Sequence, residues 1–243
     1  MVRFFVSRET LAAEAPELTG ENARHAEVLR LKIGETVLLC DGQGEEAVCT
    51  VSGAAGGAFR LAVQCRRESA SEAAVKVSVY MAFPKGDKLE HVIQKATELG
   101  AYEIVTFPSA RCVSRPDEKS IRRKLERWQK IAASAAEQSG RGRVPAVLAL
   151  PGYAQALSRA AQAEKALLFY ENEQAHTLKM ALSAGNFSSV SLMTGPEGGL
   201  TGEEVTQASA AGLEICTLGK RILRCETAPL CALSAVMYQA GEF

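Results

Sequence analysis

From Val75 onward the chain alternates short, almost unbroken apolar runs with longer stretches whose apolar residues recur every three or four positions. The runs "VKVSVYMAF", "YEIVTF", "AVLAL", "ALLFY", "SVSLMT" and "EICTL" predict strands. Between the first two, "GDKLEHVIQKATELG" sets Leu89, Val92, Ile93, Ala96 and Leu99 on one helical face and predicts a C-cap at Gly100. A longer helix over "EKSIRRKLERWQKIAASAAEQSG" turns Ile121, Leu125, Trp128, Ile131 and Ala135 inward and ends at Gly140. Further helices are predicted over Tyr153 to Ala163, near Thr177 to Leu182, over Gly202 to Ala211 and over Pro229 to Met237. Strands alternating with helices imply βαβ units and a mainly parallel sheet.

The chain before Val75 follows a different pattern. "VRFFV" opens as a strand, and "ENARHAEVLRLKIG" predicts a short helix closed by Gly34. "ETVLLCDGQGEEAVCTVSG" alternates around an Asp-Gly turn, a strong short-range hairpin signal, and "GAFRLAVQC" completes a small β module. The small and polar "RRESASEAA" suits a connection. The expected organisation is a β domain over residues 1–70, a linker over 71–74 and an α/β domain over 75–243.

Composition narrows the class. A hydrophobic share of 47% and a charged share of 23% are those of a folded soluble protein. The apolar runs are far shorter than a membrane span, and "MVRFFV" lacks a secretory pattern, so the expected location is cytoplasmic, with no membrane partner. The seven cysteines are scattered without a C-x-x-C, which suits reduced thiols. The three histidines are equally dispersed, so no metal site is expected. A net charge of zero argues against wholesale coating of nucleic acid. From Arg111 to Arg143, however, ten Lys and Arg face only four acids. That stretch reads either as a solvated helix face or as a polyanion-binding surface.

In an open parallel sheet, ligands bind beyond the carboxyl ends of the strands. Three such ends carry unusual loops: "LFYENE", "MTGPEGGLTGEE" and "LGKRILRCETA". In the second, Gly195, Gly198 and Gly199 allow close backbone approach, and Thr201 with Glu204 forms a capping box that starts a helix at once. Neither a G-x-G-x-x-G nor a P-loop is present. The third loop interleaves Lys220, Arg221 and Arg224 with Ile222 and Leu223. Those aliphatics could cover a flat nucleoside base, with Arg221 and Arg224 at the rim meeting Glu197, Glu226 or a substrate phosphate. The plainer alternative is a helix cap with surface cations.

"TGPEGGLTGEEV", "LGKRILRCETA", "PKGDKLEHVIQKATELG" and "KLERWQKIAASAAEQSGR" resemble the bacterial 16S rRNA uridine-N3 methyltransferase family of the SPOUT class. "VRFFV" and "HAEVLRLKIGETVLLCDGQG" resemble its PUA-like RNA-binding domain, so the likeness covers nearly the whole chain. It departs at Lys220, where the family often has Pro. The resemblance implies a trefoil-knotted α/β domain after a small PUA-like β-barrel, a homodimer with sites near the subunit interface, and 16S rRNA or the small ribosomal subunit as partner. It also implies S-adenosylmethionine as methyl donor, held by three segments: Leu168, Phe169, Tyr170 and Glu171; then Thr194, Gly195, Pro196, Glu197, Gly198 and Gly199. The third runs through Leu218, Gly219, Arg221, Ile222, Leu223, Arg224, Glu226, Thr227 and Ala228.

Uracil N3 carries a proton within an imide, so methylation needs a base or a stabiliser of negative charge. Glu197 is the expected base or orienter, with Arg224 and then Arg221 stabilising charge on a uracil oxygen. Arg111, Arg115, Arg122, Arg123 and Arg143, aided by Arg3 and Arg30, are the expected phosphate contacts. Three rival readings are a non-catalytic RNA-binding protein of ribosome assembly, a related methyltransferase acting on another RNA, and a nucleotide-dependent enzyme such as an NAD oxidoreductase.

Overall fold

The apolar runs and turns of the chain settle into two sheets, one in each of two units. The computed structural model describes residues 1–183 and 187–243. One unit comprises Met1–Glu72 with Ala136–Val144, the other Ala73–Ala135 with Pro145–Phe243.

The first unit contains β1 (Val2–Phe5), α1 (Arg8–Ala12), β2 (Glu17–Leu18), α2 (Gly20–Val28), β3 (Thr36–Cys40), β4 (Glu45–Ala55) and β5 (Ala58–Glu68). Its strands lie in the order β1-β3-β4-β5-β2, antiparallel except for the β1–β3 pair. Alternation along β3 and β4 sends Val37, Leu39, Ala47, Cys49 and Val51 into a core shared with Phe4, Leu11, Leu18, Phe59 and Leu61. The Asp-Gly signal is a four-residue connection in which Asp41 Oδ1 accepts from the Gln43 and Glu45 amides.

Three details correct the sequence reading. Helix α2 stops six residues before Gly34, at Val28, because Arg30 takes the left-handed position (φ 56°) of a Schellman turn. In it the Leu31 amide reaches the Ala26 carbonyl and the Arg30 amide reaches Glu27. Residues Arg66 to Glu68, expected in a connection, extend β5 and pair with β4; their polarity reflects an exposed strand end rather than a loop. Segment Ala136–Val144 joins this unit through Glu72, which pairs with Arg141 at 2.7 Å and accepts from the Gly142 and Arg143 amides. No composition shift marks that excursion.

The second unit has a six-stranded sheet in the order β11-β9-β10-β6-β7-β8, parallel throughout. Its elements are β6 (Lys76–Ala82), α3 (Lys88–Glu98), β7 (Glu103–Phe107), α4 (Glu118–Gln138, as far as Ala135), β8 (Ala146–Ala149), α5 (Tyr153–Ala160), β9 (Lys165–Phe169), α6 (Leu178–Leu182), β10 (Ser189–Thr194), α7 (Gly202–Ala210), β11 (Glu214–Cys216) and α8 (Thr227–Gln239). Strands β7 and β10 are buried along almost their whole length, which is why they read as runs rather than as alternations. Gly100 (φ 91°) and Gly140 (φ 74°) cap α3 and α4 as their positions predict. The chain leaves β6 toward β7 and β8, then returns to build β9, β10 and β11 on the other side. Because every strand is parallel, the carboxyl ends of β6, β9, β10 and β11 lie along one edge of the sheet.

Candidate active site

The loops that follow β9, β10 and β11 meet at that edge around a cavity of about 520 Å³, a volume typical of a small-ligand site. Each loop is shaped by its own sequence. After β10, Pro196 to Gly199 form a turn closed by a 2.9 Å bond from the Gly199 amide to the Pro196 carbonyl, with Gly199 at φ 68°. A β-carbon at Gly195 would come within 3.0 Å of the Gly199 backbone, so glycine there is a packing requirement. The capping box at Thr201 and Glu204 forms as the spacing predicts. Glu204 also accepts from the Ala110 amide at 2.7 Å, which fixes the loop after β7 against α7.

After β11, Gly219 (φ 106°) turns the chain into an irregular segment. The segment ends where the Thr227 and Ala228 amides bond to the Arg224 carbonyl and α8 begins. Thr194 to Gly199, Leu200, Leu218 and Leu223 line the cavity. Arg221 and Arg224 are exposed at its lip.

Most of the residues expected to hold a cofactor come together here. Phe169, Tyr170, Glu171, Thr194 to Gly199, Leu218, Gly219, Arg221 to Arg224 and Ala228 all line the cavity. Leu168, fully buried in β9, and Glu226 and Thr227, at the start of α8, are outside the lining. Ile222 lines it but leaves 85% of its surface exposed, so it offers an open apolar flank rather than a lid.

The charges pair differently from the expectation. Arg221 and Arg224 meet neither Glu197 nor Glu226. Lys88, in the first turn of α3, takes both: its Nζ lies 2.9 Å from Glu197 and 3.7 Å from Glu226. Position explains this, because α3 starts just past the end of β6, the strand beside β10. Glu197 Oε1 also accepts from the Lys85 amide at 2.9 Å. Burial pushes the Glu197 carboxyl up, but the Lys88 ammonium and the Lys85 amide outweigh it and hold the group below the ordinary value of 4.5. So placed, Glu197 is a charged carboxylate tied to the loop after β6 and to the start of α3. Beside it, burial raises the Cys225 thiol to about 12 and keeps it unreactive. Lys88 is the site residue that sequence reasoning missed; "PKGDK" directly after a strand was its one signal.

The expected phosphate contacts divide. The Arg3 side chain is 11% exposed and bonds internally to Glu46 and to the Cys40 sulfur. Arg115 is likewise committed to the Ser109, Ala110 and Cys112 carbonyls and clasps its own loop. Arg143 donates to the Gln43 carbonyl at 2.6 Å within the first unit. Arg111 donates to the Gly198 carbonyl at 2.9 Å and so braces the glycine loop. Arg30 and Arg123 are exposed, and Arg122 carries an i,i+4 pair with Glu118 on the surface of α4. Among the described residues no group of three His, Cys, Asp or Glu could hold a metal ion, and no helix is long and apolar enough to cross a membrane. All seven cysteines are free thiols.

Comparison with known proteins adds three kinds of likeness. A family model described as an RNA methyltransferase domain matches residues 71–237, and one described as an RNA methyltransferase PUA domain matches residues 18–63. Ribosomal RNA small subunit methyltransferase E of Bacillus subtilis is 39% identical over 98% of this chain and 97% of its own. The Mycobacterium tuberculosis protein of the same name is 35% identical over 89% of this chain and 84% of its own. Among solved structures, a ribosomal RNA small subunit methyltransferase E from Neisseria gonorrhoeae bound to S-adenosyl methionine superimposes with a TM-score of 0.83. It is 33% identical and covers 98% of this chain and 97% of that one.

Proposed function

The chain belongs to the RNA methyltransferase family, and from that premise we propose that it transfers a methyl group from S-adenosylmethionine to N3 of a uridine in 16S rRNA of the small ribosomal subunit. The observation that carries this reading is the meeting of three strand-end loops around one cavity with two arginines at its lip whose side chains have no hydrogen-bond or ion-pair partner among the described residues.

The cavity suits such a cofactor. Phe169, Leu200, Leu218 and Leu223 supply apolar lining beside the Thr194–Gly199 loop, a mixture that suits the flat base and polar edges of a nucleoside. When bound, S-adenosylmethionine supplies a methyl group already activated by its sulfonium charge. The chain's own task is to align a uracil with it and to handle one proton. Arg224, with Arg221 beside it, donates to a uracil oxygen as negative charge develops, which also makes the N3 proton easier to release to water. Glu197, kept charged by Lys88, orients the glycine loop. Exposed cations of α4, Arg122 and Arg123 among them, hold phosphates without specifying the base.

We extend the same proposal to a cytoplasmic homodimer with a trefoil crossing in its second unit. Support for pairing is the exposure of Ile222 (85%) at the lip and Tyr238 (73%) on α8. Support for the crossing is the strand order, in which β10 lies between β9 and β6 while β11 pairs on the far side of β9. The deciding experiment incubates the protein with S-adenosylmethionine and small subunits lacking the modification, then digests the rRNA for nucleoside mass spectrometry. The expected product is 3-methyluridine from 16S rRNA. Methylation at another atom, or only in another RNA, overturns the substrate assignment.

A further inference from the structure

Lys88 has a consequence beyond its own ion pairs. Two elements of the cavity wall, the loop after β10 and the segment that starts α8, are separate in sequence and each carries one carboxylate toward the same point. Lys88 Nζ lies 2.9 Å from Glu197 Oε1, 3.7 Å from Glu226 Oε2 and 3.9 Å from Cys225 Sγ. The side chains are only partly exposed, 33% for Lys88 and 27% for each glutamate, so solvent does not fully screen the contacts. A single ammonium therefore ties α3 to both walls. It also decides where the remaining positive charge goes. Lys220, Arg221 and Arg224 are the cations of the cavity lining, which Glu197 shares.

We propose that Lys88 is a positioning residue that draws the two cofactor-binding segments together through Glu197 and Glu226 and, by occupying both carboxylates, keeps Arg221 and Arg224 free for the RNA. This rests on the methyltransferase reading of the cavity. Lys88 touches neither methyl group nor base; it acts through the loops and through charge. Its removal has two separable effects: a looser cofactor cradle, and two anions released to compete with the substrate for the catalytic arginines.

The test compares wild type with Lys88→Met, Lys88→Arg and the triple variant Lys88→Met, Glu197→Gln, Glu226→Gln. Amide hydrogen exchange on the free proteins comes first, since it needs no ligand. Lys88→Met is expected to speed exchange both at residues 195–199 and at residues 222–228, and Lys88→Arg to restore slow exchange. Titration with S-adenosylmethionine should show affinity reduced about tenfold in Lys88→Met, the scale of one charge-assisted contact. In single-turnover methylation at saturating cofactor, Lys88→Met should be slowed about tenfold or more, and the triple variant should regain part of that loss because the competing carboxylates are gone.

Unchanged exchange in both segments of a folded Lys88→Met overturns the tie. A turnover loss that the triple variant does not relieve overturns the charge argument and leaves Lys88 a packing residue. If wild type transfers no methyl group to RNA, the methyltransferase reading fails by itself, and the exchange comparison still decides whether Lys88 joins the two segments.

Discussion

Arg111 Nη1 donates to the Gly198 carbonyl at 2.9 Å, and a β-carbon on Gly198 would lie 3.2 Å from the Arg111 Cβ. The loop along the cavity thus rests directly on an arginine, with little room for a side chain between them. Gly198→Val is expected to lift the loop and lower affinity for S-adenosylmethionine by more than tenfold. Gly198→Ala, which needs a shift of only a few tenths of an ångström, should cost much less. Arg111→Ala should weaken cofactor binding more than RNA binding. Isothermal titration of folded variants reads all three, and unchanged cofactor affinity in Gly198→Val would remove this loop from the binding surface.

Stability should carry a pH signature of the Glu197–Lys88 contact. Folding lowers the Glu197 carboxyl below its ordinary 4.5, so the contribution is fully present above that value and is lost as pH falls through the lowered one. Wild type should therefore melt above Glu197→Gln at neutral pH, with the gap closing in acid. Thermal scans from neutral pH downward measure it. A constant gap would mean that the substitution acts through packing and not through the carboxylate charge.

Much of the fold was legible because the sheet of the second unit obeys local rules. Buried parallel strands read as runs, and Gly100 and Gly140 mark helix ends. The three ligand loops were legible for the same reason, since each follows a run and carries glycine or capping chemistry. The Lys88 pairing was not. It depends on β6 lying next to β10, a neighbourhood more than a hundred residues apart in sequence that strand order alone creates. The end of α2 was misread because an arginine, Arg30, occupies a position that glycine usually holds. The Arg3 pairing was not legible either, because charge on an edge strand looks like surface until its partner is known.

That partner, Glu46, is 2% exposed and is held by Arg3 at 3.1 Å and by Arg67 at 2.8 Å. Arg3→Ala should leave a buried carboxylate with one half-exposed cation. The expected loss is roughly 2–4 kcal/mol in urea unfolding, toward the lower side of stranding a buried charge because Arg67 remains. RNA affinity of the folded protein should hardly change. A variant of normal stability that binds RNA poorly would reverse the assignment and return Arg3 to the phosphate contacts.

Arg224 and the pair Arg122 and Arg123 separate chemistry from attachment. Arg224 is at the cavity lip and its side chain has no partner among the described residues, whereas Arg122 and Arg123 project from α4, Arg122 already paired with Glu118 at 2.6 Å. A group that acts mainly as charge develops on a uracil oxygen affects rate more than ground-state binding. Arg224→Ala should therefore slow single-turnover methylation by about a hundredfold, the cost of one oxyanion donor, with RNA affinity within about threefold of wild type. Arg122→Ala with Arg123→Ala should do the converse: weaker RNA binding, a shallower dependence on salt by up to two phosphate contacts, and near-normal turnover at saturating RNA. The Glu118 pair makes the Arg122 share the smaller of the two, so Arg123→Ala alone should account for most of the change in slope. Normal turnover in Arg224→Ala would pass the catalytic role to Arg221, the remaining unpaired arginine of the lip.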